Sequence, residues 1–230
     1  MRPIAIIPAR GGSKRIPRKN IVDVNGQRAL TILIQKLQNM DLFEKIVVST
    51  DDTEISEIAR LTGATVVSRS REELSNDITP SEDVVRDFIA SNNLQNYDNC
   101  ILCVYPLALL LTESQIIEAL KMLPDSPHSF VISAGETPVN PLRHNFTLNN
   151  GDISVLFPEN SNKRSQDLEK TYYDVGMFYL AYPKIWMDKE RYWYANNSKV
   201  LIIPNENCID VDTEEDLIKL KNQYSRNKSI

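Results

Sequence analysis

Short apolar segments of β character alternate with amphipathic segments of helical period along the first half of this chain. The first apolar segment, residues 3–8, is hydrophobic at successive positions, which is typical of a strand covered on both faces. The alternation predicts βαβ units, and therefore an α/β fold with a mainly parallel sheet flanked by helices. Predicted strands occupy residues 3–8, 45–49, 65–68, 99–105 and 129–133, and predicted helices occupy residues 29–40, 53–61, 81–91 and 113–123.

Several predicted helices carry residues that favour a start or a stop. Asp51 stands three residues before Glu54, and Thr112 stands three before Gln115, so both pairs resemble capping boxes. Gly63 follows the second predicted helix, at a position where glycine commonly ends a helix. These residues support the helix boundaries drawn from the periodicity.

The alternating pattern breaks over residues 138–175, where prolines and an Asn150-Gly151 turn interrupt it. Segments 145–148 and 153–157 flank that turn, so a β-hairpin is predicted. We take residues 1–230 as one domain, with 138–175 as an inserted hairpin arm. The arm either reaches a second subunit in a homodimer or is a surface hairpin on a monomer, and topology alone leaves both open. Further strands are predicted at 177–181 and 199–203, and a closing helix at 214–224.

Composition and charge argue against several classes of protein. The formal net charge of −5 does not suit a general nucleic-acid binder, and the longest apolar run, residues 101–111, is shorter than a membrane span of about 20 residues. No secretory signal is visible, so a cytoplasmic location is expected. Three cysteines do not make a disulfide framework, and Cys100 and Cys103 would point to opposite faces of a strand. With two histidines, a His-rich metal site or a Ser-His-Asp triad is not favoured.

A basic, glycine-containing loop directly follows the first predicted strand. Its backbone lacks Cβ atoms at Gly11 and Gly12, so N–H groups and side-chain cations can approach one polyphosphate together. The loop also lies beyond the carboxyl end of a strand, where open α/β sheets bind ligands. A nucleoside triphosphate is therefore the leading ligand, with a solvated basic turn as the alternative. The loop matches neither the Walker pattern nor G-x-G-x-x-G, and its cations are Arg10, Lys14, Arg15, Arg18 and Lys19.

Two aspartates near the carboxyl terminus form a second candidate site. Asp210 and Asp212 are two residues apart, so on a strand they would project from one face. Adjacent carboxylates repel unless a cation joins them, and carboxylates with substrate phosphates are the usual ligands of Mg²⁺. The alternative is that Asp212 caps a helix beginning at Thr213, with Glu215 completing a capping box. The residues alone do not decide between the two.

Two further polar segments have both a functional and a structural interpretation. Residues 74–81 could recognise a base or a ribose, but Ser81 also sits where a helix N-cap would, and the residues alone favour the cap. Arg164 and Gln166, in the segment 163–167, could clamp the carboxylate of an acceptor. A solvated charged turn is the alternative for that segment.

Together these motifs resemble the cytidylyltransferases that activate nonulosonic acids, the CMP-sialic acid synthetases and their relatives. Arg15 and the segment 164–168, followed by the aromatic stretch 173–179, look most like the pseudaminic acid branch. The resemblance covers nearly the whole chain through residues 6–14, Pro17, Lys19 and Asn20 and the segments 48–52, 74–81 and 209–216.

The resemblance implies a Rossmann-like nucleotide-diphospho-sugar transferase fold, a homodimer, and the use of CTP with Mg²⁺. It implies that Asp210 and Asp212 bind the metal and are catalytic together with Arg10 and Lys19. The acceptor would be bound by Arg143, Arg164, Gln166 and Tyr173. The implied nucleotide-binding residues are Ala9, Arg10, Gly11, Gly12, Ser13, Lys14, Lys19, Asn20, Asp77, Ser81 and Tyr105.

The implied reaction is attack by the anomeric hydroxyl of a nine-carbon 2-keto sugar acid, with pseudaminic acid expected, on the α-phosphate of CTP. The products would be pyrophosphate and a CMP-sugar for surface glycans or flagellin glycosylation. Alternatives are the same reaction on N-acetylneuraminic, legionaminic or 3-deoxy-octulosonic acid, or a non-catalytic CTP-binding relative. The general base is not identified. Arg143 cannot serve as the base, because a guanidinium stays protonated. The chain departs from the family in the apolar run 105–111, and at Val175 and Met177, where polar acceptor contacts would be expected.

Overall fold

A computed structural model describes residues 2–69, 74, 79–125, 128–143 and 145–228. The strands within them are β1 (Ile4–Pro8), β2 (Asp23–Val24), β3 (Gln27–Arg28), β4 (Lys45–Thr50), β5 (Thr65–Ser68), β6 (Ile101–Val104), β7 (Val131–Glu136), β8 (Phe146–Asn149), β9 (Asp152–Val155), β10 (Tyr172–Ala181) and β11 (Lys199–Ile202). The helices are α1 (Ala29–Asn39), α2 (Thr53–Leu61), α3 (Ser81–Ser91), α4 (Glu113–Met122), α5 (Pro183–Met187) and α6 (Glu214–Lys228). None of these described helices combines the length and the hydropathy that a bilayer crossing demands.

The main sheet has seven strands among the described residues, in the order β11-β7-β10-β6-β1-β4-β5. Parallel pairing joins β1 to β4 and β6, β4 to β5, and β7 to β11, whereas β10 runs antiparallel between β6 and β7. The predicted α/β fold with a mainly parallel sheet is confirmed. Because β10 is reversed, its amino end lies at the edge where the carboxyl ends of the parallel strands meet.

Helices cover both faces of the sheet, which explains the continuous hydrophobicity of the central strands. Along β1, Ile7 packs into one core with α1, α2, α4 and α6, whereas Ile6 packs into another with α3 and α5. Cys100 belongs to the first core and Cys103 to the second, so the two thiols lie on opposite faces as predicted. Burial raises the pKa of Cys100 to about 12, which keeps this thiol protonated.

Two of the three predicted helix-end signals are confirmed. A capping box begins at Thr112, before α4, and Gly63, with a φ of +89°, follows α2. The capping box predicted from Asp51 is displaced by one residue. Asp52 is the N-cap of α2, and its carboxylate accepts a hydrogen bond from the Ile55 N–H at 2.9 Å.

The predicted hairpin is confirmed as β8 and β9, which form their own two-stranded sheet. Its turn contains Asn150 and Gly151, with φ of +51° and +94°, the positive values that tight hairpin turns require. Every residue of the two strands is exposed. Cross-strand pairing places four apolar side chains on one face, Phe146, Leu148, Ile153 and Val155.

The chain leaves and re-enters the main sheet at neighbouring residues. The Thr137 N–H donates to the Thr171 carbonyl at 2.9 Å, and the two hydroxyl groups lie 2.5 Å apart. Directly beyond them, Glu136 of β7 pairs with Tyr172 of β10. The strand β10 therefore begins at Tyr172 rather than at the predicted residue 177. Its first three residues are exposed or half-buried, and Gly176 separates Val175 from the apolar run that follows.

Candidate functional site

A cavity of about 790 Å³ opens at the edge where the carboxyl ends of the parallel strands meet. β1 leads into it through the basic loop, β6 through Tyr105, and β10 through Asp174 near its amino end. The segment before α6 adds Asp210 and Asp212 to the wall. The structure thus brings the amino-terminal cations and the carboxyl-terminal carboxylates into one cavity, at the usual ligand site of open α/β sheets.

The basic loop is closed by a hydrogen bond between its two ends. The Asn20 amide nitrogen donates to the Arg10 carbonyl at 2.8 Å. Ala9 is buried behind the loop, where its N–H donates to the Ser49 carbonyl at 2.9 Å and extends the pairing of β1 with β4. The residues singled out in this loop that line the cavity are Arg10, Ser13, Lys14, Arg15, Lys19 and Asn20.

Of the two glycines of the loop, Gly11 packs against the start of α2 and Gly12 faces open space. Neither Gly11 nor Gly12 lines the cavity, and the Gly11 N–H donates to Asp51 Oδ1 at 3.1 Å. A Cβ on Gly11 would lie 3.0 Å or less from three atoms of Asp52, whereas one on Gly12 would meet no atom within 4 Å. Glycine at position 11 therefore allows a close approach to a protein carboxylate.

Arg18 does not line the cavity and instead fixes the loop to α2. Its guanidinium donates to both carboxylate oxygens of Asp52, at 2.5 and 2.8 Å, and to Glu54 at 2.5 Å. The hydrogen bonds from Arg18 lower the pKa of Asp52 to about 2. Of the five loop cations, Arg18 is therefore turned away from the cavity, because the carboxylates at the start of α2 pair with it.

Asp210 and Asp212 both line the cavity, from a connecting segment outside any strand rather than from the expected strand. Lys19 Nζ lies 3.4 Å from Asp212 Oδ1, and Arg15 Nη1 lies 2.8 Å from Asp212 Oδ2. Burial of the Asp210 carboxyl raises its pKa, and the negative charge of Asp212 raises it further against the effect of Lys19. A cation that joined the two carboxylates would relieve this repulsion.

Asp212 does not cap α6. The Asp216 N–H donates to Thr213 Oγ1 at 3.3 Å, while the N–H and hydroxyl of Thr213 donate to Asp216 Oδ2 at 3.1 and 2.7 Å. This reciprocal pair makes Thr213 the capping residue. The alternative of a cap by Asp212 with Glu215 is therefore wrong, and the Asp212 carboxylate faces the cations of the loop instead.

The donor set beside the basic loop fits a hard divalent cation such as Mg²⁺, which prefers oxygen ligands. Asp210 and Asp212 supply two carboxylates. Across the described residues, no group of three or more His, Cys, Asp or Glu side chains is placed to hold a metal. An ion between Asp210 and Asp212 would therefore take further ligands from substrate phosphates and water, as Mg²⁺ commonly does.

Ser81 and Tyr105 line the cavity together, and the Tyr105 hydroxyl donates to Ser81 Oγ at 2.8 Å. Ser81 is the first residue of α3, and Pro80 occupies the N-cap position without a side-chain hydrogen bond. The cap interpretation of Ser81 is therefore wrong. Burial raises the pKa of Tyr105, so its hydroxyl stays protonated. The predicted Asp77 lies outside the described residues.

The apolar run 105–111 is divided between the cavity and the core. Residues 106–108 line the cavity, whereas residues 109–111 are buried in the core beneath α1 and α4. Lys36 of α1 holds the run in place by donating to the Leu109 carbonyl at 2.7 Å. Of the leucines in this departure from the family pattern, those at 109–111 thus serve packing, whereas Leu107 lies in the cavity wall.

Four polar residues of the wall were not among the predicted site residues, namely Arg69, Asp174, Tyr179 and Tyr194. Arg69 directly follows β5 and donates to the Leu74 carbonyl, while its Nε is buried with no hydrogen-bond partner among the described atoms. Its position directly after a parallel strand could have identified it as a site residue, because such strand ends converge on the ligand site. Tyr194 comes from the loop between α5 and β11, where no periodicity or motif marks it.

Two of the predicted acceptor residues, Arg143 and Gln166, line a second cavity of about 690 Å³ at the base of the hairpin arm. There Arg143 Nη1 donates to Ser165 Oγ at 2.6 Å. Neither residue lines the cavity that contains Arg10 and Asp210. Within one chain, the structure does not bring these two acceptor residues to the basic loop.

The other two predicted acceptor residues also lie outside the first cavity. Arg164 forms an ion pair with Asp167 at 2.8 Å and is 73% exposed, which matches the alternative of a solvated charged turn. Tyr173 interacts with the Cys208 side chain. It precedes Asp174 on β10, and successive strand residues point to opposite faces, so Asp174 reaches the cavity and Tyr173 does not.

Comparison with known proteins adds independent findings. A family model described as cytidylyltransferase matches residues 4–152. A pseudaminic acid cytidylyltransferase from Campylobacter jejuni is 36% identical over 230 residues, covering 99% of this chain and 98% of the relative. An N-acylneuraminate cytidylyltransferase from Streptococcus agalactiae is 29% identical, covering 95% of this chain and 52% of the relative. A solved CMP:2-keto-3-deoxy-manno-octonic acid synthetase complexed with CTP has a TM-score of 0.70 at 14% identity, covering 99% of this chain and 100% of its own, which confirms the fold.

Proposed function

The chain belongs to the cytidylyltransferase family, and on that premise we propose that it transfers CMP from CTP to the anomeric hydroxyl of a nonulosonic acid. The relative that matches over nearly the full length of both chains is named for pseudaminic acid, which we propose as the acceptor. The observation that carries the proposal is the shared cavity in which the basic loop faces Asp210 and Asp212. The CMP-sugar would serve glycosylation of surface glycans or flagellin.

In the proposed reaction, the acceptor oxygen bonds to the α-phosphorus as the bond to pyrophosphate breaks, and the hydroxyl proton passes to solvent. Such transfer depends on positioning and charge neutralisation more than on covalent chemistry by the protein. Arg10, Lys14 and Lys19 supply three cations to the triphosphate from the cavity wall. The hydroxyl groups of Ser81 and Tyr105, which bond to each other in the cavity wall, would contact the nucleoside.

Asp210 and Asp212 would hold Mg²⁺, which when bound offsets charge that develops on the phosphate oxygens. Both oxygens of Asp212 already face cations, Lys19 on one side and Arg15 on the other. Metal binding at Asp212 therefore requires at least one of these ion pairs to open. Asp210 gains directly from an added cation, because its pKa is raised by burial and by its acidic neighbour.

We propose a homodimer in which the hairpin arm packs on a second copy of the chain. The supporting observation is the apolar face of β8 and β9, where Leu148 is 70% and Ile153 is 62% exposed. An isolated two-stranded hairpin is only marginally stable, so such a face needs a partner surface. Contact with a partner's cavity is also how Arg143 and Gln166 would meet an acceptor.

A cytoplasmic location is proposed because Cys100, Cys103 and Cys208 are free thiols.

The test is a panel of sugar acids incubated with CTP and Mg²⁺. Pyrophosphate release and CMP-sugar mass are measured for pseudaminic, legionaminic, N-acetylneuraminic and 3-deoxy-octulosonic acids. Pseudaminic acid is expected to give the highest kcat/KM. Binding of CTP without pyrophosphate release for every acid would contradict the proposal and favour a non-catalytic nucleotide binder.

A further inference from the structure

Lys36 of α1 is a half-buried charged residue that the proposed reaction does not use. Its Nζ donates to the Leu109 carbonyl at 2.7 Å, and the helix around it packs its apolar residues into the core that contains Ile7. Burial lowers the pKa of the Lys36 ammonium group. A methionine at this position would fill much of the same space without the cost of dehydrating a charge. The contribution that requires a lysine here is therefore the hydrogen bond to Leu109.

The carbonyl that Lys36 binds belongs to the connection from β6 to α4. Residues 106–111 of this connection carry no polar side chain. Turns are commonly fixed by hydroxyl, amide or carboxylate side chains that bond to the nearby backbone, and this connection has none of these groups of its own. Its conformation therefore depends on main-chain hydrogen bonds and on side chains that reach it from other elements.

Main-chain hydrogen bonds fold the connection into tight turns but do not use the Leu109 carbonyl. The Ala108 N–H donates to the Tyr105 carbonyl at 3.0 Å, and the Leu111 N–H donates to the Ala108 carbonyl at 3.3 Å. Between them, the Leu109 N–H donates to the Leu107 carbonyl at 2.7 Å. Leu109 is fully buried, so water does not reach its carbonyl, and a buried carbonyl without a donor is costly. Lys36 supplies that donor.

The carbonyl lies directly beside the wall of the cavity that contains the basic loop. Residues 106–108 line the cavity, whereas Leu109 packs in the core behind them. The turns begin at Tyr105, whose hydroxyl bonds to Ser81 in the same wall. A displacement of the Leu109 carbonyl would therefore move the part of the wall that is next to these two hydroxyl groups. None of the residues of α1 lines the cavity, so Lys36 acts on this wall from behind.

We propose that Lys36 is a positioning residue for the nucleotide, because its bond to Leu109 holds residues 106–108 in the arrangement that binds CTP. The inference rests on the proposed function, since it takes CTP as the occupant of the cavity. It goes beyond that function by giving α1 a part in substrate binding. The apparent affinity of a ligand falls with the fraction of the protein in the binding-competent arrangement. Loss of the Lys36 amino group should therefore weaken CTP binding without altering any group that contacts the reacting atoms.

The test compares variants of Lys36 that lose the donor with one that keeps it. Lys36→Met retains the side chain as far as Cε and removes the amino group, whereas Lys36→Arg keeps a donor for the Leu109 carbonyl. Lys36→Gln is a second loss variant, with a polar side chain one bond shorter than lysine, and it gives the comparison if Lys36→Met does not fold. Lys121→Met is the matched control, because Lys121 is an exposed lysine of α4 that does not line the cavity.

Binding, kinetics and backbone order are measured well below the Tm of each variant. Calorimetry gives the dissociation constant for CTP with Mg²⁺, and steady-state kinetics at saturating sugar acid gives kcat and the KM for CTP. Hydrogen exchange of a peptide that covers residues 105–112 reports the order of the wall directly. A purely structural role would lower the Tm and leave these three quantities unchanged.

In Lys36→Met and Lys36→Gln, the dissociation constant and KM for CTP are expected to rise about fivefold, the change that corresponds to one hydrogen bond of ordinary net strength. The kcat should stay within about twofold of the wild type, since no group at the reacting atoms is altered. Exchange of residues 105–112 should become faster in the absence of CTP. Lys36→Arg should restore CTP binding to within about twofold of the wild type, and Lys121→Met should change none of these values.

A lower Tm with unchanged CTP binding and unchanged exchange in the loss variants would overturn the inference alone. If the wild type binds CTP but releases no pyrophosphate with any sugar acid, the proposed function fails, while weaker CTP binding in the loss variants still supports the role of Lys36. Absence of CTP binding by the wild type would overturn both.

Discussion

Replacement of Arg18 by alanine is expected to destabilise the protein and weaken CTP binding, although Arg18 does not line the cavity. The guanidinium joins the basic loop to Asp52 and Glu54 at the start of α2. Without it, the loop that carries Arg10 and Lys14 loses its main attachment to α2. The triphosphate would then have to order the loop, which raises the KM for CTP.

The structure sets the size of the effect. The pKa of Asp52 falls from an ordinary 3.8 to about 2. A pKa difference of this size corresponds to about 2 kcal/mol. The Arg18 side chain is 36% exposed, so solvent screening reduces the expected loss to roughly 1 kcal/mol, or a decrease in Tm of about 2–4 °C. Because the folded-state pKa of Asp52 is lowered, this stabilisation is present above pH about 4 and is lost as the pH falls through about 2.

Urea unfolding at pH 7 and pH 3 measures the loss of stability, and the KM for CTP at pH 7 measures the weakened binding. The difference between wild type and Arg18→Ala should be about half as large at pH 3 as at pH 7. Arg164→Ala is the matched control, since that arginine pairs with Asp167 on an exposed turn and should cost less than about 0.5 kcal/mol. An Arg18→Ala variant as stable as wild type at pH 7, with an unchanged KM for CTP, would refute the reasoning.

Three further predictions follow from the site and the arm. Asp210→Asn should lower Mg²⁺-dependent pyrophosphate release by about 10²–10³-fold while metal-free CTP binding persists in calorimetry, and full activity would remove the metal assignment. Gly11→Ala should lower the free energy of unfolding by about 1–2 kcal/mol in chemical denaturation. Gly12→Ala, whose added Cβ meets open space, should lower it by less than about 0.5 kcal/mol. Equal effects of the two substitutions would contradict the packing argument. Leu148→Glu should give monomers in sedimentation velocity and Thr147→Glu, on the other face of the hairpin, should not; a monomeric wild type would end the dimer proposal.

Much of the fold could be predicted because its signals are local. The apolar runs of β1, β4 and β5 are bounded by polar residues, so their predicted limits differ from the observed ones by a single residue or less. The start of β10 could not be found in this way. Its first residues pair with the end of β7 but include exposed Tyr172 and Tyr173, and a pairing partner is a property of the tertiary structure.

The residues of the candidate site show the same contrast between local sequence signals and tertiary contacts. The residues of one continuous motif, such as Arg10 and Lys19, were predicted as a group and line the cavity together. Arg18 belongs to the same motif, but its charge is taken by carboxylates more than thirty residues away in the chain. Asp174 and Tyr194 come from separate elements and meet only through folding. Sequence spacing therefore identified the loop but not its partners.

The hydrogen bonds between Thr137 and Thr171 hold together the two ends of the excursion that contains the hairpin. An ion pair between Lys170 and Glu136 at 2.9 Å adds to this closure, so the excursion is joined to the sheet where it leaves and re-enters it. Cutting it away and joining its two ends by a short turn would leave every strand partner of β7 and β10 in place. The size of the arm can thus change without altering the register that places Asp174 in the cavity.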